Sequence, residues 1–242
     1  MNSALNPQTY VAKGSAPWFS NNWLDINKVI SMNKLDSGTT VVCDGSVTDT
    51  AYMFYECHKL ATIDLSNFDT SKVKNMHEMF GRCDRITSLD LSNFNTSNVK
   101  DMGYMFEDCF DLIKLDLSKF NTSNVYNMKY MFFCCASLIS LDLSNFDTSK
   151  VTNMNEMFEG CNKLITLDIS NFDTSKVKDM QDMFGNCSSL TTIKGIIDMK
   201  SCKYYMDMFD RCPILTDVKI KNPPVDFESK SRLSKSQYTI VS

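Results

Sequence analysis

Ten cysteines, two histidines and a recurring aspartate are the residues of this 242-residue chain whose chemistry could define a site. Seven of the cysteines keep one register: Cys57, Cys83, Cys109, Cys135, Cys161 and Cys187 at steps of 26, then Cys212 at a step of 25. Zinc would need thiolates or imidazoles at short paired spacing, as in C-x2-C. The chain has no such pair: Cys134 and Cys135 are adjacent, and His58 and His77 stand in different registers. Nor is there a G-x-S-x-G elbow, an H-E-x-x-H helix or a glycine-rich phosphate loop. No catalytic, cofactor or metal site is therefore expected, and the protein reads as non-enzymatic. Carboxylates are the remaining chemistry. Asp64, Asp90, Asp116, Asp142 and Asp168 repeat at steps of 26, and in stacked coils such a line would carry charges about 5 Å apart that repel by roughly 1 kcal/mol in water. It would suit cations or basic groups, or each Asp would simply accept hydrogen bonds from hydroxyls such as those of Ser66 and Ser92. A glycosidase is disfavoured, since it needs two carboxylates in unlike environments.

Aromatic residues at positions that vary between repeats are the other candidates. Tyr104 and Tyr130 are one repeat apart, Tyr126 lies four residues before Tyr130, and Phe110 and Phe133 take places that are polar in most repeats. Aromatic groups of this kind mark contact surfaces for proteins or carbohydrates. Local packing or self-association are the competing readings.

The elements that hold these residues follow from the repeat. Met-Phe pairs begin at Met53, Met79, Met105, Met131, Met157 and Met183, 26 residues apart, and then at Met208. One unit cannot bury its apolar face, but stacked units can, with equivalent residues forming columns. Leu60, Ile86, Leu112, Leu138, Leu164, Leu190 and Leu215 make one, Phe68 to Phe172 and Val73 to Val177 two more. Most of the 16 methionines fall in such columns, where an adaptable side chain fills gaps. Leu89 and Leu91 flank Asp90 with strand period, whereas Val99, Met102, Met105/Phe106 and Cys109 recur every three to four residues, which predicts a short helical or 3-10 turn. The expected fold is thus a β-rich α/β solenoid: a parallel sheet on one side and short helical or 3-10 turns on the other. Residues 1–40 read as an N-terminal cap, 41–220 as seven coils and 221–242 as a C-terminal cap, with Tyr238-Thr239-Ile240-Val241 as a closing strand. Stacked cysteines approach poorly for a bridge, so the column reads as buried free thiols.

The unit L-D-L-S-N-F-D-T-S-K-V followed by M-x-x-M-F-x-x-C, carried by Leu141 to Val151, Met154, Met157-Phe158 and Cys161, resembles the BspA-like leucine-rich repeats of bacterial surface proteins. The resemblance covers about residues 41–220, and Ala16-Pro17-Trp18-Phe19 with Ile26 and Val29 is similar to that family's capping segment. It implies a right-handed parallel solenoid, no catalysis, and adhesion at the cell surface to a protein or glycan ligand.

Formal charge is −4 and no basic cluster stands out along the chain, which argues against nucleic acid. No apolar run is long enough for membrane insertion, and no export leader is visible. The resemblance points to an extracellular place, and the missing leader to an alternative cytoplasmic life as an intracellular interaction scaffold. Oligomeric state and ligand identity are not legible.

Overall fold

The computed structural model describes residues 9–12, 35, 37–43 and 45–242. The segment Ala16 to Phe19 with Ile26 and Val29 lies outside the described residues. The chain is a β-solenoid of about nine turns with parallel sheets. Its strands are short: β1 (Thr9–Ala12), β2 (Thr39–Cys43), β3 (Ile63–Asp64), β4 (Ser88–Leu89), β5 (Lys114–Leu115), β6 (Thr166–Asp168), β7 (Thr192–Lys194), β8 (Ile196–Asp198), β9 (Val218–Lys221) and β10 (Tyr238–Val241). All their pairings are parallel, with β1 added beyond β2 and β10 beyond β9. A helix of five residues, α1 (Phe227–Ser231), is the only one among the described residues.

The core is the set of columns. Residues of the Leu, Phe, Val, Met and Cys registers are buried throughout the repeats. The Met-Phe phenylalanines form an unbroken stack from Phe54 through Phe80, Phe106, Phe132, Phe158 and Phe184 to Phe209, with centroids 5.2 to 5.8 Å apart. Adjacent ring planes lie within 16° of parallel, so the rings follow the coil stacking.

The expected helical or 3-10 segment is not there. Between Met76 and Cys83 the N–H groups of Met76, Glu78, Phe80 and Arg82 donate to carbonyls of the next coil, whereas those of Met79, Gly81 and Cys83 close turns on carbonyls three residues back. The turns closed by Met79 and Cys83 have their third residue at positive φ, Glu78 at 54° and Arg82 at 57°, as in a type II turn. A helix would keep every N–H bond within its own coil. Chained turns instead free every second N–H for the neighbour, and they bury side chains every three residues just as a helical turn would.

Corners are made by acidic and amide side chains. Asp64 accepts from the Ser66 N–H, and Asp90, Asp116, Asp142 and Asp168 do the same two residues on. Hydrogen bonds from the hydroxyl and the N–H of the same serine hold each carboxyl below its ordinary range. The threonine column ties coils together: buried Thr122 donates to the Asp147 carbonyl at 2.9 Å and accepts from the Asp147 N–H at 2.8 Å, and Thr70, Thr96 and Thr148 repeat the pair.

All ten cysteines are free thiols, and seven of the eight buried ones form the column from Cys57 to Cys212. From Cys83 to Cys212 each thiol of that column donates to the carbonyl of the Met-Phe phenylalanine one coil earlier, at 2.9 to 3.2 Å. A small apolar side chain that still carries a weak donor fits this place.

Candidate functional site

The chained turns carry the positions that differ most between coils. Tyr52, Glu78, Tyr104, Tyr130, Glu156 and Asp182 share one register, each at positive φ between 50° and 60°. L-residues hold that region at a cost of roughly 1–2 kcal/mol each, which the coil-to-coil bonds of their N–H groups offset. Their side chains are thereby aimed away from the core, half-buried along one face.

Five aromatic rings, one of them an imidazole, form a row along this face. Tyr104 and Tyr130 stack at 4.5 Å with planes 11° apart. Glu78 occupies the same register in the preceding coil, and the neighbouring His77 fills the gap, edge-on to Tyr104 at 5.2 Å and to Tyr52 at 5.5 Å. Phe133 extends the row at 5.2 Å from Tyr130. Gly103 makes the approach possible, since a Cβ there would lie 2.7 Å from the Asn127 amide and 3.2 Å from His77 Nδ1. His77 is fixed by Asp101, whose Oδ1 is 3.3 Å from Nδ1. Burial pushes the Asp101 carboxyl up, but bonds from His77, the Gly103 N–H and Asn127 outweigh this and hold it low. Lys129 places its ammonium 4.8 Å from the Tyr104 centroid, a cation–π contact of about 0.5–1 kcal/mol at an exposed site.

Carboxyls flank the rings on both sides. Glu78 and Glu107 hydrogen-bond to each other, and burial, followed by the Glu78 and Asp108 charges, pushes Glu107 up to about 8. The pair therefore holds a proton between them above the ordinary carboxyl range. At the other end the Tyr130 hydroxyl donates to Glu156, while burial and the contact with Glu156 push Glu159 up to about 7. Burial likewise pushes Asp182 up to about 6. Glu156, Glu159 and Asp182 are the one group among the described residues offering three ligand atoms within 4.8 Å of one another. Asn186 donates to Glu159 at 3.0 Å and Gln181 to Asp182 at 3.3 Å, so these oxygens already have partners.

Of the aromatic residues singled out in the sequence, Tyr104, Tyr130 and Phe133 come together here. Tyr126 and Phe110, 49% and 45% exposed, lie elsewhere on the surface, and among the described residues no ring contact joins them to the stack. The aspartate column stands on the strand side, each member engaged in its corner. Sequence reasoning missed Tyr52, His77 and Lys129. Tyr52 was findable, because it lies two repeats before Tyr104 in the same register.

A repetitive parallel β-solenoid with a variable aromatic face is the class that fold and site define. A family model described as Mycoplasma protein of unknown function, DUF285, matches residues 25–138 and 109–219. The chain belongs to that family. No curated protein matches it. No helix among the described residues is long and apolar enough to cross a membrane.

Proposed function

We propose that this protein is a non-enzymatic binding protein of the BspA-like surface type, a right-handed repeat stack that displays its turn face outside the cell to a protein or glycan partner. The observation that carries the reading is the row Tyr52, His77, Tyr104, Tyr130 and Phe133, in which rings from successive coils make one half-exposed strip. Scaffold positions repeat because the coil repeats, whereas this strip is built from positions that the scaffold leaves open to change. Rigid aromatic rings supply contact area at low entropic cost, and tyrosine is enriched where binding energy concentrates. Carboxyls at both ends and Lys129 beside Tyr104 add polar groups that orient a partner. Each Asp of the acidic column accepts a corner bond through its Oδ1, which accounts for the repeat of that residue without a ligand.

The test is binding to arrays of extracellular-matrix proteins and of glycans. The native chain is expected to give defined positives that fall at least tenfold in Tyr104→Ala/Tyr130→Ala with circular dichroism unchanged. Positives that survive the double substitution sink the assignment of this face.

A further inference from the structure

A second surface emerges only when the coils are stacked. Lys74, Lys100, Tyr126, Thr152, Lys178 and Lys203 are separated by a full repeat in sequence, yet each backbone N–H after the first bonds to the carbonyl of the one before, at 2.8 to 3.0 Å. This hydrogen-bonded ladder fixes one such residue per coil, at a step of about 4.8 Å. The buried column of Val73, Val99, Val125, Val151 and Val177 lies immediately before it in the chain and the half-buried Asn75 to Asp179 register immediately after, so its four lysines and Tyr126 point outward and are exposed. No ion pair among the described residues uses Lys74, Lys100, Lys178 or Lys203. The neighbouring Lys150 and Lys176 differ, since their ammoniums are held by Asn124 and the Ser149 carbonyl at 2.8 and 2.9 Å. Tyr126 stands in the ladder, and Tyr204, 60% exposed, stands beside Lys203. A chain of net charge −4 thus sets four exposed lysines, without ion pairs among the described residues, in one line across its coils, with Tyr126 in that line and Tyr204 in the register beside it.

We infer that this lysine ladder binds a linear anionic polysaccharide lying along the solenoid axis, with Lys74 and Lys100 paired to carboxylate or sulfate groups at one end, Lys178 and Lys203 to such groups further along, and Tyr126 stacked on a pyranose face between them. Three features favour a glycan. An extended sugar chain advances by about one coil per residue, so charges and lysines stay in step, whereas stacked nucleic acid advances only about 3.4 Å per nucleotide on each strand and drifts out of step. Single-strand sites present rings to successive bases, but Tyr126 and Tyr204 are three coils, or about 14 Å, apart. A pyranose has an apolar C–H face that a tyrosine ring covers, and a gap of several sugars between two rings is no obstacle. The surface lies on a different column from the Tyr104 and Tyr130 strip and does not depend on it.

The experiment measures binding of the full chain to heparin, a polyuronate, neutral dextran and single-stranded DNA at fixed salt. Lys74→Gln/Lys100→Gln/Lys178→Gln/Lys203→Gln is compared with a control that loses the same charge elsewhere, Lys59→Gln/Lys163→Gln/Lys219→Gln/Lys235→Gln. The native chain and the control are expected to bind heparin and polyuronate, the ladder variant at least tenfold more weakly, and dextran not at all. Tyr126→Ala is expected to weaken both anionic glycans severalfold while leaving binding of inorganic polyphosphate, which has no ring face, unchanged. Equal losses in ladder and control variants would show a net-charge effect and overturn the proposal. Tighter binding of DNA than of either glycan, with the same dependence on Tyr126, would also overturn it, in favour of a nucleic-acid surface.

Discussion

Thr122→Val is the sharpest probe of what joins the coils. Valine reproduces the shape of threonine and removes only the hydroxyl, which is buried and makes two bonds to Asp147 of the next coil, donating at 2.9 Å and accepting at 2.8 Å. Each lost bond is worth about 0.5–1.5 kcal/mol net, and an N–H left buried without a partner costs about 1–3 kcal/mol. A loss of about 3 kcal/mol is expected, large against a typical total of 5–15 kcal/mol. With a urea dependence of roughly 3 kcal/mol per molar, the unfolding midpoint falls by about 1 M. Thr152→Val is the internal control: its hydroxyl bonds the Tyr126 carbonyl at 3.3 Å from an exposed position, and its removal should stay within about 0.5 kcal/mol. Far-UV circular dichroism during urea titration gives both values, and hydrogen exchange at the Asp147 amide reports the orphaned donor directly. If the two variants differ by less than about 0.5 kcal/mol, or if Asp147 keeps its protection, the threonine column does not join the coils as described.

Stability should also respond to pH in a particular sense. Glu107, Glu159 and Asp182 are raised in the folded state to about 8, 7 and 6, so the fold binds more protons than the open chain between the ordinary carboxyl range and these values, and stability falls as pH rises through that window. The lowered corner aspartates act oppositely, losing stability only as pH drops below their ordinary value of 3.8. The urea midpoint is expected to be higher near pH 5.5 than near pH 8.5, with the slope reduced in Glu107→Gln; an unchanged slope in that variant would refute a proton shared between Glu78 and Glu107. Thiol reactivity gives a third check. Only Cys134 and Cys202 are partly exposed, and burial raises them to about 11 and about 12, so a thiol-specific chromogen should label at most two sites, slowly, in the native chain and all ten in urea. Fast labelling of more than two would contradict the buried column.

The period and the columns were legible because one coil is copied, and copied side chains announce themselves at a fixed step. The corner role of Asp64 and its equivalents was legible for a local reason, since an Asp two residues before a Ser favours this turn. The turn side was misread because buried residues every three or four positions fit a helix and a train of type II turns alike. What separates the two is positive φ, which glycine usually advertises; here Tyr52, Glu78, Arg82 and Tyr104 adopt it, and within the chained turns Gly160 alone shows the usual mark. Tyr104 and Tyr130 could be paired on paper because they share a register. His77 could not, because it reaches their row from one position earlier. The lysines went unseen for a geometric reason: a reading along the chain searches for runs, and theirs is a line across it.

Each coil is also polar along the stack. Threonine hydroxyls reach to the following coil and cysteine thiols to the preceding one, so the two flat faces of a coil are unlike and each mates with the opposite face of its neighbour. Any whole 26-residue unit therefore presents the same pair of faces as the unit it is inserted beside. Duplication or loss of whole units in the gene would lengthen or shorten the protein without disturbing a single junction, while a fractional unit would leave one junction mismatched. Length variants should differ by whole coils, and the reach of both surface rows would change with them in the same increments.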